Sequence, residues 1–455
     1  MGKDLTEGNI SRTIIETSVP LMVAFVLQSA FNIADAFFVG KISAEALAAV
    51  SISFPVVFLI IALGTGIGAG TTSVVARYIG AKDYDNADNA AEHALISSGF
   101  VGLGLGIAGF LISPYLFDII GAEGSLKALA LEYINILLFF TVFMMFAFVG
   151  NSILRGEGDM KTPMKIMGLS SILNIVFDPF FIFPGGYHLP FGLVLPFGLG
   201  LGVRGAAIAT LTARGIGMSW LTWHILTGRS WVKLDFRHFR YDFSHVKNIF
   251  FVGVPASLIN VTMSVGMFLW TVIVGMHGTA ALAAYGIGFR LDTVALLPAM
   301  GVSVAVISIV GQNIGAGKLG RARQATYKAG MMASGFMVFI GILFNLFSVQ
   351  IISAFNTDPE VVGYGVSFLR IIPWSYIFVG LAMCISSAFV GSGQALLALL
   401  ITIMRIIVFS VPLAYLISLA YGVSGIWMGI AAGSILGSLF ALLLFKRCCT
   451  LKYTA

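Results

Sequence analysis

The sequence predicts an all-α integral membrane protein of twelve transmembrane helices, arranged as two six-helix bundles related by pseudo-two-fold symmetry. Three observations lead there. Of the 455 residues, 58% are hydrophobic and only 10% charged, with a mean hydropathy of +0.98, whereas soluble domains carry about a quarter charged residues. Apolar stretches long enough to cross a bilayer, about 20 residues each, recur twelve times between charge or turn clusters. Small-residue landmarks of the first half reappear in the second at a constant offset of 235.

The opening MGKDLTEGNISRTIIETSVP lacks the basic, apolar, small-residue order of a cleavable signal, so the first span is expected to be retained. Met1-Gly2 with Thr6 is a weak match to an N-myristoylation pattern, and a chain of twelve spans needs no such anchor. The first span, 14–38, carries Pro20 and a stripe of Gln28, Asn32 and Asp35 at i, i+4 and i+7, one face of a helix. Span two, 47–76, lies between Lys41 and Arg77, and spans three and four take 93–117 and 128–153. Span five, 163–183, carries Ser171, Asn174 and Asp178 on one face, with Pro179 next to the acid. Span six, 203–226, follows the Pro/Gly-rich run FPGGYHLPFGLVLPFGLG.

Ser230 to Lys247 is the longest strongly polar connection, at mid-chain. It divides an N-terminal lobe, 1–229, from a C-terminal lobe, 248–455, with 230–247 as a cytoplasmic linker. The second lobe places spans at 247–275, 282–312, 326–353, 362–388, 395–419 and 423–445. At the one offset of 235, Pro20 meets Pro255, Gly40 meets Gly275, Leu47-Ala48-Ala49 meets Leu282-Ala283-Ala284, Gly80-Ala81 meets Gly315-Ala316, and Gly156-x-Gly158 meets Gly391-x-Gly393. Gly202 and Gly205 then meet Gly422 and Gly425 at the shorter offset of 220, which makes the Pro/Gly-rich run an insertion in the first lobe. Because each repeat has an even number of spans, the two have the same orientation, an arrangement that places transport sites within or between lobes.

Lys and Arg concentrate on the cytoplasmic side of membrane proteins. Of the 26 basic residues, 19 fall in the tails and the loops after even-numbered spans, against four (Lys41, Lys127, Arg204, Arg370) in the other loops and three (Arg214, Arg290, Arg405) within spans. Both termini are expected in the cytoplasm, in a multi-pass protein of the cell membrane. The net charge of +6 thus reads as topology; no basic domain or stacking module offers nucleic acid a surface.

Several motifs resemble chemistry without its context. Gly200-x-Gly202-x-x-Gly205 fits a dinucleotide fingerprint but lacks the strand-helix-strand unit and the following acid. Gly315-Ala316-Gly317-Lys318 has Gln312 and Leu319 where a phosphate loop needs Gly and Ser or Thr. The histidines (His93, His188, His224, His238, His245, His277) show no metal spacing. Cys384, Cys448 and Cys449 form no disulfide framework. Neither an enzyme nor a cofactor is expected.

A charge within a span costs several kcal/mol on most scales, so each is a functional candidate. Asp35 and Asp178 both come late in outward-running spans, at similar depth. Two carboxylates with Asn oxygens could hold Na⁺ or share a proton; alternatively, each acid simply reaches the outer interface. Pro20 and Pro179 weaken the helical ladder and are candidate hinges. The offset of 235 puts Trp270 opposite Asp35 and Leu413 opposite Asp178, so the acid pair is not duplicated. Arg290 and Asp292 in span eight are candidates for second-lobe gating or salt bridging, although at i, i+2 they are poor partners for each other. Of the 38 phenylalanines, Phe31, Phe37 and Phe177 could line a cavity for lipophilic cations.

With these residues in view, the chain resembles the multidrug and toxic compound extrusion (MATE) transporters. The likeness rests on Pro20, Asn32-x-x-Asp35-x-x-Phe38-x-Gly40, the Leu-Ala-Ala repeat, Gly391-x-Gly393 and Phe289-Arg290-Leu291-Asp292. It is most similar to the archaeal and bacterial DinF-like branch, in which the coupling residues lie in the N-terminal lobe. The resemblance implies Asp35, Asn174 and Asp178 as coupling residues, with Asn151 and Thr210 as further cavity groups beside Asn32 and Gln28. For Na⁺, the implied ligands are Asp35, Asn174, Asp178 and Thr210. It also implies a monomeric antiporter that exports small lipophilic cations in exchange for Na⁺ or H⁺. Spans seven and ten contain no Asp or Glu, unlike the branch with acids there. A lipid or lipid-linked oligosaccharide flippase of the same superfamily is the alternative, for which a basic cavity is expected.

The charge asymmetry makes a topological prediction. In a cysteine-free background, single cysteines near Lys233 and Lys318 should stay unlabelled by an impermeant thiol reagent outside intact cells, and those near Lys41 and Gly185 should label. The reverse pattern would invert the topology.

Overall fold

The computed structural model describes residues 2–189, 194–235 and 239–448. Met1, the insertion residues 190–193, Arg237 and His238 of the linker, Cys449 and Lys452 lie outside the described residues. In the first lobe, α1 (Ile10–Gly40), α2 (Ala44–Gly80), α3 (Tyr84–Ile119), α4 (Gly124–Phe139) with α5 (Thr141–Gly156), α6 (Lys161–Ile182) and α7 (Gly202–Leu226) form six spans. In the second, the spans are α8 (Phe243–Gly275), α9 (Thr279–Gly315), α10 (Leu319–Leu346) with α11 (Ser348–Ser353), and α12 (Pro359–Ile371) with α13 (Tyr376–Gly391). The last two come from α14 (Ala395–Ile403), a π-helical segment at Met404–Ser410 and α15 (Val411–Arg447), which run on as one helix to a break inside α15. Among the described residues, nine helices are long and apolar enough to cross a membrane, and the bent pair α4–α5 makes a tenth. One of the nine, Ala395–Arg447, is 53 residues and folds back on itself at Gly422, whose φ of 58° and ψ of −139° break the helix. Facing pairs establish the hairpin: Gly425 meets Ile417, Gly429 meets Ala414, Gly433 meets Ser410 and Gly437 meets Arg405. α7, diluted by Arg204, Arg214 and His224, is the twelfth.

The helix starts are capped where the sequence supplies a short polar side chain. Asn9 accepts from the Ser11 and Arg12 amides, Ser43 from Ala46, Asp83 from Asn86 and Asp242 from Ser244. The stops repeat with the offset. After α2 the left-handed residue is Lys82 (φ 61°), and its repeat equivalent after α9 is Gly317 (φ 72°); after α5 it is Gly158 (φ 85°), and after α13 Gly393 (φ 84°). Lys82 holds a conformation that glycine adopts without steric cost.

Three spans read as continuous in the sequence are broken. α4 and α5 meet at 52° around Phe140. α10 stops before α11 at Phe347, and α12 passes through a 3-10 turn at Ile372–Ser375 that contains Pro373. The described residues of the insertion after α6 are non-helical, with isolated antiparallel bridges between Pro184 and Leu199 and between His188 and Val194.

The lobes meet through α2 against α8 and α9, and α1 against α9. These contacts come in symmetry pairs. A Cβ on Gly80 would lie 1.9 Å from the Gln312 carbonyl oxygen, and one on Gly315 would lie 1.9 Å from that of Arg77. Likewise Gly66 abuts Ser257, and Gly301 abuts Met22. Subtracting 235 exchanges the members of each pair, which is the signature of a two-fold axis between α2 and α9. The close approaches cluster at the end that carries the linker, and Asn260 donates to Thr65 Oγ1 at 3.2 Å farther along the seam. The N-terminal segment closes that end: the buried Leu5 donates to Gln312 Oε1 at 2.8 Å and accepts from Asn313 at 3.1 Å, while the Lys3 amide donates to the Glu157 carbonyl.

The linker is tied to the first lobe by side-chain acceptors. Glu157 Oε2 accepts from Ser230 Oγ at 2.7 Å and from the Trp231 and Val232 amides at 2.7 and 3.2 Å. Asp88 accepts from the Lys233 amide and Glu92 from that of Asp235. Burial, joined by the like charge of Asp159, pushes the Glu157 carboxyl up to about 7 against those hydrogen bonds. A free glutamate titrates near 4.3, so the docked linker binds more protons between these values, and docking weakens as pH rises through this window. Hydrogen exchange at the Trp231 and Val232 amides, corrected for intrinsic rate, should therefore speed up from pH 5 to pH 8. Glu157→Gln should flatten that dependence, and an unchanged slope in the variant would remove Glu157 as its source.

Candidate functional site

α1 packs on α6 and α6 on α7, which carries the polar residues of three spans to one place. Asp178 is fully buried. In the orientation that satisfies its neighbours, the Asn174 amide donates to Asp178 Oδ2 at 3.1 Å, and its oxygen accepts from Thr210 Oγ1 at 3.1 Å. Asp35 faces this group from α1, with its Oδ1 buried and, among the described residues, without a hydrogen-bond partner. The two carboxylates are close enough to interact electrostatically, and Tyr133 and Arg214 belong to the same charge cluster. Pro179, inside α6, has no N–H and leaves the Ile175 carbonyl without its helical donor. A buried cluster of two carboxylates, an amide and a hydroxyl has the oxygen chemistry of a hard cation or a shared proton.

Beside the cluster lies a cavity of about 790 Å³ inside the first lobe. Gln28, Phe31, Asn151, Ser171, Asn174 and Thr210 line it, so four of the seven candidates named from the sequence border this space. Asp35 and Asp178 stand outside the lining, and Asn32 is exposed, its side-chain oxygen accepting from Gln28 at 3.4 Å. Asn151 donates to the Ala147 carbonyl and leaves Oδ1 buried and unpartnered. Along α7 the wall runs from Thr210 to Leu226, about 24 Å at 1.5 Å per residue. Of the phenylalanines expected in such a wall, Phe31 is present, whereas Phe37 packs near Lys41 and Phe177 near Phe181.

Sequence reasoning missed Tyr133, Arg155 and the greater part of the aromatic wall. The position of Arg155 after an apolar run reads as a loop, but the residue closes α5 and lines the cavity. Only the packing of α5 against α7 places it there.

In the second lobe, Tyr376 donates to Asp292 Oδ1 at 2.7 Å, and Arg405, on the π-helical segment, is its electrostatic partner. Arg290 is exposed. Among the described residues, Asp292 is thus held by Tyr376 and Arg405, with no acid acting on it.

The model of the MatE family matches residues 20–180 and again 255–416, two copies whose starts are separated by the same offset that relates the repeats. The chain belongs to the MatE family. Its members are multi-pass membrane transporters and not enzymes. This MatE protein is 28% identical to a protein named FAD transporter from Shewanella oneidensis, over 98% of this chain and 96% of the other. It is 29% identical to a probable multidrug resistance protein NorM from Thermotoga maritima, over 96% and 92%. Among solved structures it is similar to an outward-facing multidrug resistance MATE transporter of the MOP superfamily, with a TM-score of 0.92 and 32% identity over 100% of this chain and 99% of that one. The two-lobe, twelve-helix fold is common to these structures.

Tyr376→Phe in this MatE protein should leave Asp292 short of a donor and lower stability by about 1–3 kcal/mol, read as a drop in Tm of the purified protein. No drop would mean that water replaces the hydroxyl.

Proposed function

We propose that this transporter is a secondary antiporter of the cell membrane that exports drug-like organic compounds through the first-lobe cavity, driven by Na⁺ or H⁺ taken up at Asp35 and Asp178. The observation that carries this reading is the pair of membrane-embedded carboxylates beside the cavity: one has an unpartnered oxygen, the other is braced by Asn174 and Thr210, and the second lobe has no counterpart. A carboxylate kept in a span is expensive; Arg214 offsets part of that cost at Asp35, and an arriving Na⁺ or proton relieves the rest. α1 and α6, each carrying a proline, are the elements such binding would bend. The multidrug names of several relatives support drug export. Both termini are assigned to the cytoplasm by the basic asymmetry, and the unit is a monomer, since both lobes of the fold come from one chain.

The sequence points to lipophilic cations as cargo. A second reading, cargo with an acidic group, is favoured by Arg155 and Arg214 in the cavity wall and by the relative named for FAD, whose diphosphate is anionic.

The test is purified protein in liposomes, with export of a fluorescent organic compound driven by an imposed Na⁺ or pH gradient. Asp35→Asn and Asp178→Asn should each abolish export in folded protein, because an amide neither titrates nor carries the charge that a bound cation needs. Asp292→Asn should retain it. Loss of export in Asp292→Asn with export kept in Asp35→Asn would overturn the assignment.

A further inference from the structure

Among the described residues, the charged side chains lining the first-lobe cavity are Arg155 and Arg214; no Asp or Glu is in the lining. The two arginines differ in compensation. Arg214 is within electrostatic reach of Asp35, with its guanidinium 5.9 Å from the Phe31 ring centroid. Arg155 has no such neighbour among the described residues: no carboxylate acts on it, its hydrogen bond goes to Ser152 Oγ at 2.6 Å, and its Nε is buried without a partner. The two acids that follow it in sequence are turned away, Glu157 to the linker and Asp159 to Thr162. A cation in the last turn of a helix is favoured by the dipole, but this guanidinium is directed to a side chain and not to the final carbonyls. An arginine so placed is costly unless an anion completes it.

The rest of the wall suits a planar apolar body. Phe25, Phe31, Phe140, Phe143, Phe148 and Trp223 supply ring faces, and methionines adapt around them. A volume of about 790 Å³ admits a drug-sized molecule. The second lobe repeats neither arginine: the offset places Val390 at the position of Arg155 and, after the insertion, Ser434 at that of Arg214.

We propose that the Arg155 end of the cavity is an anion subsite, and that the cargo is a planar aromatic compound bearing a carboxylate or phosphate that pairs with Arg155 while its rings lie along the phenylalanine wall. The proposal rests on the reading of this cavity as the cargo site and names the class of cargo.

Equilibrium binding of riboflavin and riboflavin 5′-phosphate, two probes that differ by one phosphate, tests it by fluorescence anisotropy with purified protein and no gradient. The phosphate should bind at least about tenfold more tightly. Arg155→Gln should abolish the difference, weakening binding of the phosphate far more than that of riboflavin itself, Arg155→Lys should keep part of it, and the preference should shrink with salt, as charge pairing in a partly solvated site does. Equal affinities in the wild type, a preference that survives Arg155→Gln, or tighter competing binding of ethidium would each overturn it. If Arg155→Gln does not fold, the Arg155→Lys comparison and the salt dependence decide the same question. Nanodiscs of phosphatidylglycerol and of phosphatidylcholine separate two sources of the anion: competition by phosphatidylglycerol alone assigns the subsite to a lipid headgroup and overturns the cargo assignment, and no competition assigns it to soluble cargo. Because binding needs no gradient, phosphate preference without driven export would sink the antiporter reading and leave the subsite standing; driven export without preference would do the opposite.

Discussion

The close approach of backbones along the seam between α2, α8 and α9 is the constraint on which the rest of the molecule depends. Gly80 against Gln312 and Gly315 against Arg77 leave no room for a side chain, and Gly66 with Gly301 extends the same contact toward the membrane interior. In a bilayer, lipid tails are as apolar as side chains, so association of helices relies on contact at short range, which small residues permit. The seam sits at the linker end. The N-terminal segment, through Leu5, Gln312 and Asn313, ties both lobes together over it.

Onto this symmetric frame the chain places an asymmetric set of charges. Asp35, Arg155, Asp178 and Arg214 all belong to the first lobe, while their counterparts are Trp270, Val390, Leu413 and Ser434. Asp35, Asp178 and Arg214 are expensive within their spans, as is the buried Arg155 at the end of α5, and duplicating them would double the cost with no added site. The second lobe keeps one internal acid, Asp292, and holds it with Tyr376 and Arg405. The charged groups of the two lobes differ in partnering: among the described residues, Asp35 and Arg155 each keep a buried atom without a partner beside the cavity, whereas Asp292 accepts from Tyr376.

Polar accounting also governs the linker. A segment of polar backbone beside a lobe needs partners for its amides, and Glu157, Asp88 and Glu92 supply them. Burial, against those hydrogen bonds, also pushes the Glu157 carboxyl up to about 7, outside the membrane core.

The sequence by itself determined the membrane class, the number of spans, the repeat and its offset, and the two intramembrane acids. These follow from local properties: hydropathy summed over a span, identical small residues at one separation, and charge where charge is rare. The helical stripes of α1 and α6 were legible too, because helical spacing alone puts Gln28, Asn32 and Asp35, or Ser171, Asn174 and Asp178, on one side. Only the tertiary structure decided which members of a stripe face the cavity, so Gln28 lines it while Asn32 faces out. It also decided that spans four, nine and ten break, since Phe140 and Phe347 carry no local breaking signal and Pro373 could equally have kinked a continuous helix. Arg155 is the clearest case. Its sequence position counts it as one more basic residue of a loop, and its place in the cavity wall exists only because α5 packs against α7, a contact between residues distant in the chain that no local pattern encodes.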